Sequence, residues 1–285
     1  MKDLQDGTAI VTGASRGIGV YIARALAHEG MNLVLAARTL SDLDQVAAQI
    51  SALGVRALPV QCDVSDPASR RALIDAAISE FGSIDLLVNN AGIEEITRFE
   101  AQDEAAFEYT VQVNLLGTTA LTRLVVPGML ERGRGHIVNV ASLAGKAGTP
   151  YETAYSTTKH ALIGFTRSLR GEYHGSGVGV SAICPGFVSD VGMYADNMVR
   201  IGVTSPWTLG TSKPEKVAKA VLKAVKQNKA EIIVNPHATR VLLTLAEASP
   251  SLGEWLMRRL HAATVFRKAV EIREREAVAV EVVGD

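Results

Sequence analysis

The chain has 285 residues, 47% of them hydrophobic and 21% charged, with a formal net charge of −1. That balance excludes intrinsic disorder and provides no bulk attraction to nucleic acid. The chain has no run of eighteen apolar residues, and its N-terminus, Met1-Lys2-Asp3-Leu4-Gln5-Asp6, carries acids. We therefore expect neither a spanning helix nor a signal peptide, but a cytoplasmic protein with no transmembrane segment and no nucleic-acid partner.

Thr8–Thr12 (TAIVT) predicts a buried strand, followed by a helix over Gly17–Glu29 closed by Gly30. Leu33–Ala37 is a second strand, and Ser41 is the predicted N-cap of a helix to about Leu53, with Gly54 beyond it. Arg56–Val60 predicts a third strand, and Asp66-Pro67 opens a helix ending near Phe81-Gly82. Ile84–Val88 is a fourth strand, and a long helical region runs from about Asp103 to Arg132. Strand five, His136–Val140, precedes a second long helix over Thr153–Tyr173; Val178–Cys184 is strand six, Pro214–Asn228 a helix, and Glu231–Val234 the last strand.

Alternating strands and helices without tight hairpins imply parallel pairing, and strands apolar throughout imply burial on both faces. The predicted fold is α/β, a doubly wound parallel sheet of the Rossmann type. No linker-like stretch divides the chain. Residues 1–235 are read as one domain, with a substrate loop over 187–212, and 236–285 as a C-terminal helical extension. In that extension Leu252, Trp255, Leu256 and Leu260 follow helical spacing and Pro250 separates two helices. The expected role is packing onto the substrate loop or a partner subunit. Cys62 and Cys184 are read as buried inert thiols, and the His residues form no zinc-spaced pairs, so no metal site is expected.

After strand one comes Thr12-Gly13-Ala14-Ser15-Arg16-Gly17-Ile18-Gly19. Glycines at a strand-to-helix turn let the backbone come close to a pyrophosphate, which the helix N-terminus then attracts. Tyr155 and Lys159, four apart on a predicted helix, share a face. Ser142 follows strand five at the carboxyl edge of the sheet, where open α/β folds bind ligands. A phenol is a poor acid or base near neutral pH unless a cation stabilises its anion, and Lys159 supplies one.

With Asn89-Asn90-Ala91-Gly92, Asn114 and Pro185-Gly186, these motifs resemble the short-chain dehydrogenase/reductase family, standard-length branch, over about residues 6–235. The resemblance implies Tyr155 as acid/base, Lys159 as its activator and a ribose ligand, Ser142 as orienter of the substrate oxygen, and Asn114 in a proton relay to Lys159. It further implies a nicotinamide cofactor held by Gly13, Ser15, Arg16, Gly17, Ile18 and Gly19. Asp63 and Val64, then Asn90, Ala91 and Gly92, belong to its adenosine side, and Pro185, Gly186 and Val188 to its nicotinamide side. Asp190 stands where family members often have Thr, leaving Ser189 or the Val188 backbone for the carboxamide contact. A homodimer or homotetramer built on the two long helices is implied as well.

The end of strand two separates the cofactors. NAD-selective sites carry an acid there to accept from the ribose hydroxyls; this chain has Ala37 followed by Arg38, with Arg16 across the turn. Two guanidiniums and no carboxylate suit a 2′-phosphate, so NADP(H) is expected. Met193, Tyr194, Met198, Ile201 and Trp207, with Ile93, Leu143 and Tyr151, are expected to give apolar cover to a ketoacyl, steroid-like or aromatic carbonyl/alcohol substrate. Two other readings stay open: a sensor or scaffold without turnover, and an epimerase or dehydratase.

Overall fold

The computed structural model describes the chain except residues 208, 237–238, 260–261 and 285, and the side chains of 250, 256–257, 262 and 277–284. Seven strands form one parallel sheet: β1 (Thr8–Thr12), β2 (Asn32–Ala37), β3 (Ala57–Gln61), β4 (Leu86–Asn89), β5 (Gly135–Val140), β6 (Val178–Pro185) and β7 (Glu231–Val234), in the order β3-β2-β1-β4-β5-β6-β7. Alternate residues of each strand enter different cores. Ala9 and Val11 of β1 and Leu33 and Leu35 of β2 pack on one face, while Ile10 and Val34 pack on the other. This two-sided burial is why the strands read as unbroken apolar runs.

The first core is closed by α1 (Ile18–His28), α2 (Leu40–Ser51) and α8 (Pro214–Gln227); the second by α3 (Pro67–Phe81) and α5 (Thr118–Glu131), which follows the shorter α4 (Glu104–Val111). Asp66 caps α3 through Ala68 N and Ser69 N, with Pro67 at the first position and Gly82 left-handed at its end. The α2 cap is Thr39 rather than Ser41, and its side chain makes no capping bond.

Between α4 and α5 the backbone widens into a π-type turn, Gln112–Gly117. The continuous helix Glu104–Glu131 has the length and apolar content of a spanning helix, which the run-length reading did not anticipate. Half of its most apolar stretch is buried in the fold, as in a core helix. The second long helix is α6 (Thr153–Glu172).

Beyond β6, the short helix α7 (Met193–Asn197) lies in the segment read as the substrate loop. After β7 come α9 (Thr239–Ala248), α10 (Pro250–Arg259) and α11 (Ala262–Gly284). Val265, Phe266, Ala269 and Val270 of α11 pack on Tyr194, Met198 and Val203, so α11 docks on the segment that follows β6. The expected stripe on α10 points elsewhere: Leu252 and Trp255 are exposed. The Leu256 side chain and Leu260 lie outside the described residues.

Candidate active site

The carboxyl ends of the strands open into a cleft of about 630 Å³, where the strand order reverses between β1 and β4. Gly13 and Gly17 there have φ of +64° and +62°. A Cβ on Gly13 would meet Ala91 Cα at 3.0 Å, and one on Gly19 would run into the Gly13 carbonyl. Only glycine permits this close turn, which leaves the start of α1 free to take an anion. Ser15, Arg16, Gly17 and Ile18 line the cleft; Gly19 does not and acts in packing. Thr12 was not singled out from the sequence. Its hydroxyl accepts from Asn90 N and Ala91 N, both at 3.0 Å, while Asn90 Nδ2 donates to Thr12 O at 2.9 Å. These bonds tie the two turns together across the switch point.

Ala37, Arg38, Asp63 and Val64 line the cleft, as do Asn90, Ala91 and Gly92. Arg38 Nη1 donates to the Tyr109 hydroxyl at 3.2 Å. Arg16 pairs with Asp196 at 3.2 Å, the two side chains 79% and 51% exposed, so the pair holds weakly. Burial alone would raise the Asp63 carboxyl, but the Ser65 hydroxyl and amide, with Arg38 and Arg70, hold it below its usual range.

Ser142, Tyr155 and Lys159 line the same cleft. Ser142 begins a single 3₁₀ turn, its Oγ accepting from Ala144 N at 3.1 Å. Tyr155 and Lys159 lie one turn apart on α6, and Lys159 Nζ stands 5.4 Å from the centre of the Tyr155 ring. Lys159 Nζ donates to Val140 O at 2.9 Å, anchoring the ammonium to β5. Burial pushes the Tyr155 phenol above its ordinary range and the Glu94 charge adds to this, while the Ser142 hydroxyl opposes it. Burial also lowers the Lys159 ammonium to about 8, partly countered by Cys184 and Glu94.

Asn114 is buried in the π-type turn and does not line the cleft. Its Oδ1 accepts from Ile93 N and its Nδ2 donates to Ile93 O, both at 2.8 Å, with a further bond to Thr158 Oγ1 at 3.2 Å. The side chain therefore holds the turn after Gly92 against α6.

Pro185, Gly186 and Val188 line the cleft after β6. Ser189 Oγ donates to Asp190 Oδ2 at 2.9 Å, and Asp190 has a positive φ of 70°. Of the expected apolar cover, Ile93, Leu143, Met193, Tyr194 and Met198 reach the cleft. Tyr151 and Ile201 pack against the α11 cluster instead, and Trp207 is largely exposed. Leu242, Leu243 and Ala246 of α9 and Phe266 of α11 supply cover that was not foreseen. Lys146 ties α9 to the sheet through Glu247 at 2.8 Å and Glu231 at 3.4 Å. Glu94 and Glu152 also line the cleft and were missed; the available signal was an acid just after the β4 turn and another three residues before Tyr155. Both cysteines are buried, and burial drives the Cys184 thiol up to about 12, which makes it inert.

The family model for short chain dehydrogenases matches residues 7–198. The chain is 40% identical to the ketoacyl reductase HetN of Nostoc sp. over 99% of both chains. It is 41% identical to a putative ketoacyl reductase of Streptomyces coelicolor over 63% of this chain and 70% of that one. Among solved structures it resembles a variant of actinorhodin polyketide ketoreductase with NADPH, at a TM-score of 0.75 and 31% identity, covering 82% of this chain and 97% of the other. The family match spans most of the sheet and the full-length relative extends through the last helix, so this chain is an oxidoreductase belonging to the short-chain dehydrogenase/reductase family.

Proposed function

We propose that the protein is an NADP(H)-dependent ketoreductase interconverting a hydrophobic or bulky ketone and its secondary alcohol. The observation that carries this reading is that Ser142, hydrogen-bonded to Tyr155, and Lys159, 5.4 Å from its ring centre, line the same cleft as the glycine turn between β1 and α1. The residues fit the cofactor: Gly13 and Gly17 shape the anion cradle, and no acid stands at Ala37 beside Arg38. When bound, the nicotinamide supplies the hydride for reduction and accepts it in oxidation.

In the reducing direction Tyr155 gives its phenolic proton to the substrate oxygen as that oxygen becomes an alkoxide. Ser142 donates a hydrogen bond to the same oxygen and orients it. Lys159, charged and close to the ring, offsets the cost of the phenolate left behind. Asn114 acts as a positioning residue, since it holds the Gly92–Ile93 turn against Thr158 of α6. Arg38 and Arg16 recognise the 2′-phosphate, Arg16 exchanging Asp196 for it. Residues 1–235 carry this chemistry, and 236–285 complete the apolar end of the cleft.

A panel of bulky and small ketones, followed by NADPH oxidation, tests the proposal. Turnover of bulky ketones, faster with NADPH than with NADH, is expected. Cofactor binding without turnover across the panel would favour the sensor reading.

A further inference from the structure

Two acids that the scheme above does not use face the cleft beside the catalytic tyrosine. Glu152 occupies the N-cap position of α6 and is buried, at 4% exposure. Glu94 lies two residues beyond Gly92 and is partly buried. Their carboxyls are hydrogen-bonded to each other, and both line the cavity. Among the described residues no lysine or arginine makes an ion pair with either at contact distance.

Two carboxylates in contact in a buried site cannot both be charged at neutral pH, so the pair titrates as a unit. Burial raises both, and the Glu94 charge raises Glu152 further, so Glu152 carries the proton and donates it in a hydrogen bond to the Glu94 anion. Arg273 of α11 and the Asn197 amide of α7 favour that anion. Arg273 does not line the cleft; its guanidinium donates to Ile96 O at 3.3 Å and Asn197 O at 3.1 Å. A carboxylate has about four acceptor positions, so Glu94 keeps acceptor capacity toward the cavity. It lines the same cleft as Tyr155 and Lys159, and its charge acts on both. The cover opposite, from Leu143, Met198 and Phe266, is apolar.

We infer that the Glu94–Glu152 pair is the specificity element of the substrate end, binding ketones with a hydroxyl or amino donor beside the carbonyl and rejecting those with a carboxylate there. The inference rests on the ketoreductase reading and narrows its substrate class. A donor on the substrate completes the Glu94 shell, whereas a substrate carboxylate would meet a like charge there, and the Lys159 ammonium of the same cleft already donates to Val140 O. A polar site left unpaired by an analogue discriminates strongly, so a preference on the order of ten- to a hundredfold is expected.

The test compares α-hydroxyacetophenone with the isosteric propiophenone, and phenylglyoxylate with its methyl ester, using the full chain and NADPH. Binding of the corresponding alcohols, phenylethanediol and phenylpropanol, to the NADPH complex is measured alongside and needs no turnover. The wild type should favour the hydroxyketone and the diol by about tenfold or more, and the ester over the acid. Glu94→Gln and Glu152→Gln should each reduce these ratios severalfold. Ratios within one variant are insensitive to its folded fraction, so a role limited to tying α6 to the β4 turn would leave them unchanged. Absence of the preference in the wild type, or its persistence in both variants, overturns the inference. Diol preference without turnover of any ketone upholds the pair and overturns the ketoreductase reading.

Discussion

Lys159→Met should stabilise the protein near neutral pH while abolishing turnover. Lys159 is 3% exposed, and burial holds its ammonium at about 8 instead of 10.5. The folded state binds this proton less tightly than the unfolded chain. Stability therefore rises with pH between about 8 and 10.5, and the full penalty applies below that window. At about 1.4 kcal/mol per pH unit, the fold gives up about 3 kcal/mol to keep this cation. Met matches the length of the stem and has no charge to desolvate. It forfeits the donation to Val140 O at 2.9 Å, and an orphaned carbonyl costs about 1 kcal/mol. The net gain is about 2 kcal/mol near neutral pH, shrinking toward zero as the wild-type penalty fades near pH ~10. Urea unfolding of both proteins at neutral and alkaline pH measures the difference. A variant less stable than wild type at neutral pH, or a stability difference that does not change with pH, would refute the reasoning.

Buried His136, whose imidazole is lowered to about 3 by desolvation, should cost the wild type about 2 kcal/mol as pH falls from neutral to about 5, because only the unfolded chain takes up that proton. His136→Gln should lose that part of the acid sensitivity in denaturant titrations, and an unchanged slope would count against it. For cofactor choice, NADP(H) should be preferred by about 1–3 kcal/mol, and Ala37→Asp with Arg38→Ile should reverse the ratio of kcat/KM values; equal efficiency with both cofactors in the wild type would remove the claim. Sedimentation velocity at micromolar concentration should give a homodimer or homotetramer, with a monomer alone contradicting it.

The strands were legible because most of their residues are apolar on both faces, and the β1 and β7 ranges coincide with the expected ones. Caps with a direct chemical signal were legible too: Asp66-Pro67 starts α3 as expected. The α2 start was misplaced because neither Thr39 nor Ser41 makes a side-chain cap, so the residue type carried no information there. The π-type turn at Gln112–Gly117 adds little to a 3.6-residue period and hides inside an apolar run; buried Asn114 was its only visible mark. The proposed catalytic set is legible in the sequence because Tyr155 and Lys159 share one helix and Ser142 follows a recognisable strand. Glu94 and Glu152 could not be paired from the sequence, since they meet only when the β4 turn and the start of α6 come together across the cleft. In the extension, the α10 stripe drew attention, whereas the surface that docks is the Val265, Phe266, Ala269 and Val270 face of α11.

In the proposed reaction the Tyr155 phenol moves the proton. Tyr155→Phe keeps the ring packed on α6 and removes only the hydroxyl. Single-turnover reduction of a ketone that the wild type accepts, with NADPH affinity measured in the same samples, tests it most directly. The account predicts a rate reduced by about a hundredfold or more with nearly unchanged NADPH affinity. A variant that keeps a large share of the wild-type rate would contradict it.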